Sequence, residues 1–210
     1  MKKALVLLSG GQDSTTCLYW AINEFDHVQA ISFNYNQRHI EELDCAKKIC
    51  EKEKIKFNII ELNKIFSNSA LIEHNKKINI KHPLNNKLPN SFVPGRNLTF
   101  LSIASSYAIN NKIFDIIIGV CENDYSGYPD CRKKFIKSIE KSISLAMDKK
   151  IKIHTPLINL DKAKIWKLAK DLNCLDIIIN NTMTDYNGSY KKNEWGYGKL
   201  DNPASLLRSK

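Results

Sequence analysis

No apolar run in this chain approaches the roughly 18 residues that a membrane-spanning helix needs. That absence excludes a membrane-embedded protein of the helical type. None of the 6 cysteines stands in a Cys-x-x-Cys pair, which removes the usual thiol pattern of redox and zinc-ribbon motifs. Most of Cys17, Cys45, Cys50, Cys121, Cys131 and Cys174 read instead as core or near-core residues on helices, kept reduced in a cytosolic chain. The Met1-Lys2-Lys3 start could pass for a signal peptide, but Gly10, Gly11 and Asp13 cut the following apolar run short, so the cytoplasm is the expected location. Neither Gly-x-x-x-x-Gly-Lys-Ser nor Gly-x-Gly-x-x-Gly occurs, which disfavours a P-loop NTPase and a dinucleotide fold. Acids are also short: 22 Asp and Glu against 32 Lys and Arg give a net charge of +10 and a pI near 9.2. From 132 to 170 there are twelve basic residues and three acids. Such a stretch could be a tRNA-binding face. No regular aromatic interleaving accompanies the charges, so lysines on solvated helix faces are the favoured reading and tRNA binding is not expected.

The stretch that organises the chain is Ala4 to Ser14. Ala4–Leu8 reads as a buried parallel strand and breaks at Ser9-Gly10-Gly11. Asp13, Ser14, Thr15 and Thr16 are N-cap candidates for a helix through about Phe25. Strand, glycine loop and helix N-terminus together cradle a phosphate, because backbone N–H groups and the helix dipole point at the anion. The plain alternative is a strand-to-helix turn that happens to contain two glycines.

With 210 residues and 43% hydrophobic content, the chain makes one domain, or one with a small appendage. Further strands are expected at 27–33, 57–62, 114–120 and 151–154, with helices at about 38–54, 98–110, 132–147 and 162–172. Two successive β-α-β units imply an α/β fold, a doubly wound parallel sheet of order 3-2-1-4-5. Ligands in such sheets lie at the C-terminal strand ends. Residues 9–13 and 34–39 should therefore face one another across a crevice. Residues 63–92, polar and with prolines at 83 and 89, read as a surface excursion with at most a short helix, long enough to act as a lid. Arg96 and Asn97, at a helix start, can reach a phosphate or carbonyl, or form only a cap with a surface arginine. The loop from Cys121 to Arg132 carries acids, Tyr125, Tyr128, Gly127 and Pro129, groups suited to hydrogen-bonding a planar heterocycle. Thr182 onward reads as an irregular C-terminal appendage, so the expected division is 1–180 and 181–210.

Ser-Gly-Gly-x-Asp-Ser after an N-terminal strand resembles the pyrophosphate loop of the PP-loop ATPases, which split ATP into AMP and pyrophosphate. Further blocks narrow the likeness: Gln37-Arg38-His39, Phe92-Val93-Pro94-Gly95-Arg96-Asn97, the run from Gly119 to Arg132, and Thr155-Pro156-Leu157. Together they resemble the 7-cyano-7-deazaguanine synthase (QueC) family over almost the full length, and Ser126 to Arg132 is the most specific block. The resemblance implies an adenine nucleotide alpha hydrolase-like fold and an ATP-dependent carbon–nitrogen ligase. Its substrates would be 7-carboxy-7-deazaguanine and ammonia, its product the nitrile, its setting queuosine precursor synthesis. It implies ATP and Mg²⁺, and a homodimer.

The same resemblance supplies roles. Leu8, Ser9, Gly10, Gly11, Gln12, Asp13, Ser14 and Thr15 would surround ATP, with Ser9, Gly10, Gly11 and Ser14 on the pyrophosphate and Asp13 placing Mg²⁺. Phe33 would border the adenine. Arg38, His39 and Arg96 would contact phosphate or carboxylate, with Asn97 beside them. Asp130, with Tyr128 and Arg132, would read the guanine-like edge. Ser9, Asp13, Ser14 and Arg96 form the expected catalytic set. Alternatives are a ligase that stops at the amide or uses another amine, an inactive nucleotide-binding relative, and a tRNA-modifying adenylyltransferase.

The resemblance also implies a structural zinc on four appendage cysteines. Here those positions read Asp185, Lys199, Asn202 and Ser205, although Tyr186-Asn187-Gly188 and Trp195-Gly196-Tyr197-Gly198 are retained. A carboxylate, an ammonium, an amide and a hydroxyl do not make a tetrahedral zinc site, so no zinc is expected. An Asp185–Lys199 ion pair could join the same two segments, with Trp195, Tyr197 and Tyr186 carrying more packing. The appendage is expected to face away from the glycine loop.

Overall fold

The computed structural model describes residues 1–37, 40–62, 65–66, 72, 81–82, 85–89, 91–122, 128–185 and 189–209. Chain order runs β1 (Lys3–Leu7), α1 (Gln12–Glu24), β2 (His27–Asn34), α2 (Glu41–Lys52), β3 (Lys56–Glu61), β4 (Lys81–His82), β5 (Asn85–Pro89), α3 (Arg96–Asn110), β6 (Asp115–Ile118), α4 (Lys133–Ala146), β7 (Lys152–His154), α5 (Lys162–Asp171), α6 (Leu175–Asn181), β8 (Lys192–Asn193), β9 (Gly196–Tyr197) and α7 (Pro203–Arg208). The main sheet has order β3-β2-β1-β6-β7, all parallel, as the two β-α-β units require.

Alternation along β1 explains the layers. Leu5 and Leu7 turn to one face, where they pack with Leu101, Ala104 and Ala108 of α3 and Ile136, Ile139 and Ile143 of α4. Ala4 and Val6 turn to the other, against Cys17, Leu18 and Ala21 of α1, Ala46 and Ile49 of α2 and Ile165 of α5. Both faces are covered, so the central strands read as continuous apolar runs. The lysines of α4 at 133, 134, 137 and 141 are exposed, opposite its buried isoleucines. Cys17, Cys50, Cys121 and Cys174 are buried, and none of the six cysteines is in a disulfide.

Three sequence expectations need correction. The polar pattern at 63–92 announces no strands, but its described part holds an antiparallel ribbon pairing Lys81 with Pro89 and His82 with Asn85; the lid reading otherwise falls largely on residues outside those described. The N-cap of α1 is Gly11, not a residue from 13 to 16, and no side chain caps it. The chain turns helical as soon as the glycines end, which places Asp13 and Ser14 in the first turn. The segment before Thr182 contains α6, and the appendage holds a hairpin and a short helix.

Candidate active site

The glycine loop lies at the C-terminal end of β1, the sheet's central strand. Gly10 has φ +94°, the left-handed region, and a Cβ there would overlap the Glu42 carbonyl of α2 and lie 2.9 Å from the Ala46 nitrogen. Only glycine lets the loop rest on that backbone. Ser14 then knits the loop: its Oγ accepts from the Ser9 N–H (3.1 Å), donates to the Gly11 carbonyl (3.2 Å) and lies 2.9 Å from Ser9 Oγ. Ser9 is exposed while Ser14 is buried. Ser9 thus presents the hydroxyl and Ser14 fixes it. An uncapped helix leaves first-turn N–H groups for an anion.

Asp13, in that first turn, accepts from Lys162 Nζ through both carboxylate oxygens, at 2.8 and 2.7 Å. Lys162 is the first residue of α5, and its side chain is only 12% exposed. Sequence reasoning did not single it out, although a signal existed. A lysine at a helix N-terminus opposes the macrodipole unless an anion holds it there. Asp161 offsets the cost by accepting from the Lys164 N–H at 2.8 Å, and this bond holds its carboxyl below the usual range. Gly119, just beyond β6, allows the close approach of that strand end to Asp13 and Ser14.

A second cluster forms where α3 begins and the turn at Pro129–Cys131 ends. Asp130 is buried, and its Oδ2 accepts from the Asn97 N–H at 3.1 Å. Its Oδ1 is also buried and has no donor among the described residues. Leaving such an oxygen unpaired costs about 1–3 kcal/mol, which an incoming N–H donor would remove. Tyr128 is fixed by Ser91, hydroxyl to hydroxyl at 2.7 Å, and the Arg96 guanidinium lies 6.0 Å from its ring centre. Burial disfavours charge on Arg96, but Tyr35, Tyr128 and Asp130 outweigh it and raise its pKa, so it stays a cation. Burial pushes Glu42 of α2 up to about 8, against the pull of Arg96 and Arg208 and with Asp13 and Glu41 adding repulsion.

Other expected site residues take different places. Phe33 ends β2 as anticipated, but its ring is buried and stacks on Phe100 with centroids 4.2 Å apart. Its ring is therefore part of the core. Leu8 is also core; its N–H donates to Ile31 and its carbonyl accepts from Ser32 Oγ. Asn97 is consumed in positioning, since its Nδ2 donates to the Asp130 carbonyl at 3.2 Å. Gln12 and Thr15 are buried, and their side-chain polar atoms find no partner among the described residues. Arg132 is exposed and caps α4 with its backbone. Arg38 and His39 lie outside the described residues.

The appendage does not face away from the loop. The Met183 N–H donates to the Gly10 carbonyl at 3.2 Å, and the Gln12 N–H donates to Thr184 Oγ1 at 3.1 Å. Polar groups of the loop backbone need partners, and the appendage supplies them. The four positions where the resemblance implies zinc ligands form a hydrogen-bonded knot. Asp185 Oδ2 accepts from the Lys199 backbone N–H (2.7 Å) and from Ser205 Oγ (3.0 Å), and Asn202 Oδ1 accepts from the Ser205 N–H (3.1 Å). The segments are joined through the Lys199 amide, not through an ammonium; its side chain is exposed. This donor set does not fit zinc: the carboxylate oxygen is already turned toward N–H and O–H donors, and no thiolate is present. Trp195 and Tyr197 do pack here, Trp195 beside Arg208 and Tyr197 against Tyr190. Tyr186 lies outside the described residues.

A parallel sheet of order 3-2-1-4-5, with an anion-cradling glycine loop after its central strand, defines a nucleotide-binding domain of the PP-loop ATPase type. Solved structures share this fold. The U34-tRNA thiolase NcsA from Methanococcus maripaludis superposes with a TM-score of 0.51 at 19% identity, over 82% of this chain and 58% of that one. A 4-thiouridine synthetase in complex with RNA and ATP gives 0.54 at 19% identity, over 85% and 42%. The family model described as queuosine biosynthesis protein QueC matches residues 3–208. The 7-cyano-7-deazaguanine synthase of Bacillus subtilis (strain 168) is 49% identical over 100% of this chain and 93% of its own length, and that of Clostridium acetobutylicum is 50% identical over 99% and 91%. The chain belongs to the QueC family of queuosine biosynthesis proteins.

Proposed function

We propose that this chain converts 7-carboxy-7-deazaguanine and ammonia to 7-cyano-7-deazaguanine at the expense of ATP. Its family supports the overall reaction. The observation that carries the substrate assignment is the buried, donor-less Oδ1 of Asp130 beside Arg96 and Tyr128. An amino-pyrimidinone edge offers N–H donors to such a carboxylate.

The substrate carboxylate attacks the ATP α-phosphorus, forming an acyl adenylate and releasing pyrophosphate. Ammonia then adds to the acyl carbon and AMP leaves with the carboxylate oxygen, giving the amide. The amide oxygen is adenylated by a second ATP, and loss of that AMP and two protons leaves the nitrile. None of these steps needs a side-chain nucleophile; positioning and charge stabilisation suffice. Ser9, the Gly10–Gly11 backbone and Ser14 hold the leaving pyrophosphate. Lys162 places a positive charge at the same loop, and Arg96 places a second at the acid. Asp13, whose two carboxylate oxygens are here held by Lys162, is the residue that would help to place a Mg²⁺ if one oxygen turned to it, and the ion would then neutralise phosphate charge. The zinc of the resemblance has no role in this scheme, and protein purified without added metal is expected to lack stoichiometric zinc by atomic absorption. We further propose a cytoplasmic homodimer with no tRNA partner; among the described residues no helix is long and apolar enough to cross a membrane.

Exchange of labelled pyrophosphate into ATP tests the first step. Exchange that requires 7-carboxy-7-deazaguanine and falls in the Ser9→Ala variant is expected; exchange indifferent to the acid would overturn the assignment.

A further inference from the structure

Thr184 and Arg208 belong to the appendage, yet Thr184 reaches the phosphate loop and Arg208 reaches Thr184. Thr184 Oγ1 accepts from two N–H donors, the Gln12 backbone at 3.1 Å and Arg208 Nη1 at 2.9 Å. A hydroxyl has two lone pairs and one proton. Both lone pairs are taken, so its remaining capacity is to donate, and the described residues give that proton no acceptor. Its position is tied from both sides. Met183 pairs with Tyr197 in a parallel bridge and bonds to Gly10, and Asp185 is fully buried in the hydrogen-bonded knot. A Cβ placed on Gly11 would lie 3.5 Å from Thr184 Oγ1 and 3.5 Å from Ser9 Oγ, so the two hydroxyls flank the same point of the loop.

Arg208 is fully buried, an unusual state for a cation. Among the described residues its bonds go to neutral oxygens: Trp195 O at 2.9 Å, Thr184 Oγ1 at 2.9 Å and Ile178 O at 2.6 Å. Trp166 and Trp195 flank the guanidinium at 5.9 and 6.0 Å. Burial lowers its pKa to about 10, which still leaves it charged at neutral pH. Asp13 and Glu42 act on it through space, but among the described residues no carboxylate bonds it; a buried cation so placed beside an anion-binding loop favours that loop's occupation by an anion.

We propose that Thr184 is a further pyrophosphate ligand, donating its hydroxyl proton to a phosphate oxygen across from Ser9, and that Arg208 is the positioning residue that turns Thr184 that way. The inference rests on the phosphate-loop reading. It makes the C-terminal segment part of the ATP site. The hydrogen-bonded knot then serves to hold Thr184 and α7 in register with the loop.

Calorimetric titration of the full chain with inorganic pyrophosphate tests it. The Thr184→Val variant is expected to bind about tenfold or more weakly, as for one lost bond to a charged oxygen, while Thr184→Ser stays within about twofold. Arg208→Lys, which keeps the charge but not the three-way fork, should weaken binding in the parent and add nothing in the Thr184→Val background. Thermal unfolding checks each variant's fold; if valine unfolds the chain, Thr184→Cys, which keeps the size with a weak donor, replaces it under the same threshold. Weaker binding in Ser9→Ala with Thr184→Val unchanged would overturn this inference and leave the loop reading standing. No change in either variant would remove the loop reading as well. Additive losses from Thr184→Val and Arg208→Lys would overturn the positioning role.

Discussion

Asp130 divides its carboxylate between two roles. One oxygen takes the Asn97 N–H and so fixes the start of α3; the other is buried without a donor among the described residues. Asp130→Asn separates the two, since the amide oxygen can still accept from Asn97 while an NH₂ replaces the open acceptor. Affinity for 7-carboxy-7-deazaguanine should fall about 10–100-fold, with ATP affinity unchanged; steady-state KM values for each substrate check this. Glu42 makes a prediction of its own. Its folded pKa, pushed up to about 8 by burial, lies above the ordinary value of 4.5. Between those values the folded state holds a proton that the unfolded state has released, so stability falls as pH rises through that window. Denaturant unfolding at pH 5, 6, 7 and 8 should show this slope, and Glu42→Gln should flatten it. The placement of Asp130 just before a helix, in a loop rich in hydrogen-bonding groups, was legible in the sequence. Asn97 was not, because nothing along the chain shows that its backbone and side-chain N–H groups are already committed to Asp130. Lys162 was hidden by its twelve-member basic stretch; only its partner Asp13, 149 residues away, sets it apart.

At the scale of elements, the contact between the glycine loop and α2 decides whether the anion cradle exists. Gly10→Ala combines a left-handed backbone with overlap onto the Glu42 carbonyl. A cost of about 3 kcal/mol or more is expected, lowering the melting temperature by about 10 °C in a chain of this size; differential scanning calorimetry measures it. The strands and long helices were readable because each carries a long apolar run or stripe. The ends were less so. The N-cap of α1 was misplaced because Asp13 and Ser14 are good caps in type, whereas their side chains serve Lys162 and Ser9. The ribbon of β4 and β5 has almost no apolar alternation to announce it, and α6 is only seven residues long. The position of Phe33 near the end of β2 was visible in the sequence, whereas its stacking partner Phe100 was not.

The whole molecule brings together parts from its two ends. The chain's first strand carries the loop, and its last helix supplies Arg208, which reaches that loop through Thr184. In sequence the appendage looks like a remnant turned away from the chemistry, because the four substituted positions are the visible change there. Their replacement knot, and the bonds from Met183 and Thr184 to the loop, depend on tertiary contacts that no local pattern encodes. The sheet order, by contrast, was readable, because right-handed β-α-β crossovers leave few alternatives. The central claim is that this assembled site activates one acid twice. Incubation with ATP, Mg²⁺, ammonia and 7-carboxy-7-deazaguanine, with the product identified by mass spectrometry and AMP counted, tests it directly. The account predicts 7-cyano-7-deazaguanine with two AMP formed per nitrile; an amide end product with one AMP, or ATP turnover without the acid, would contradict it.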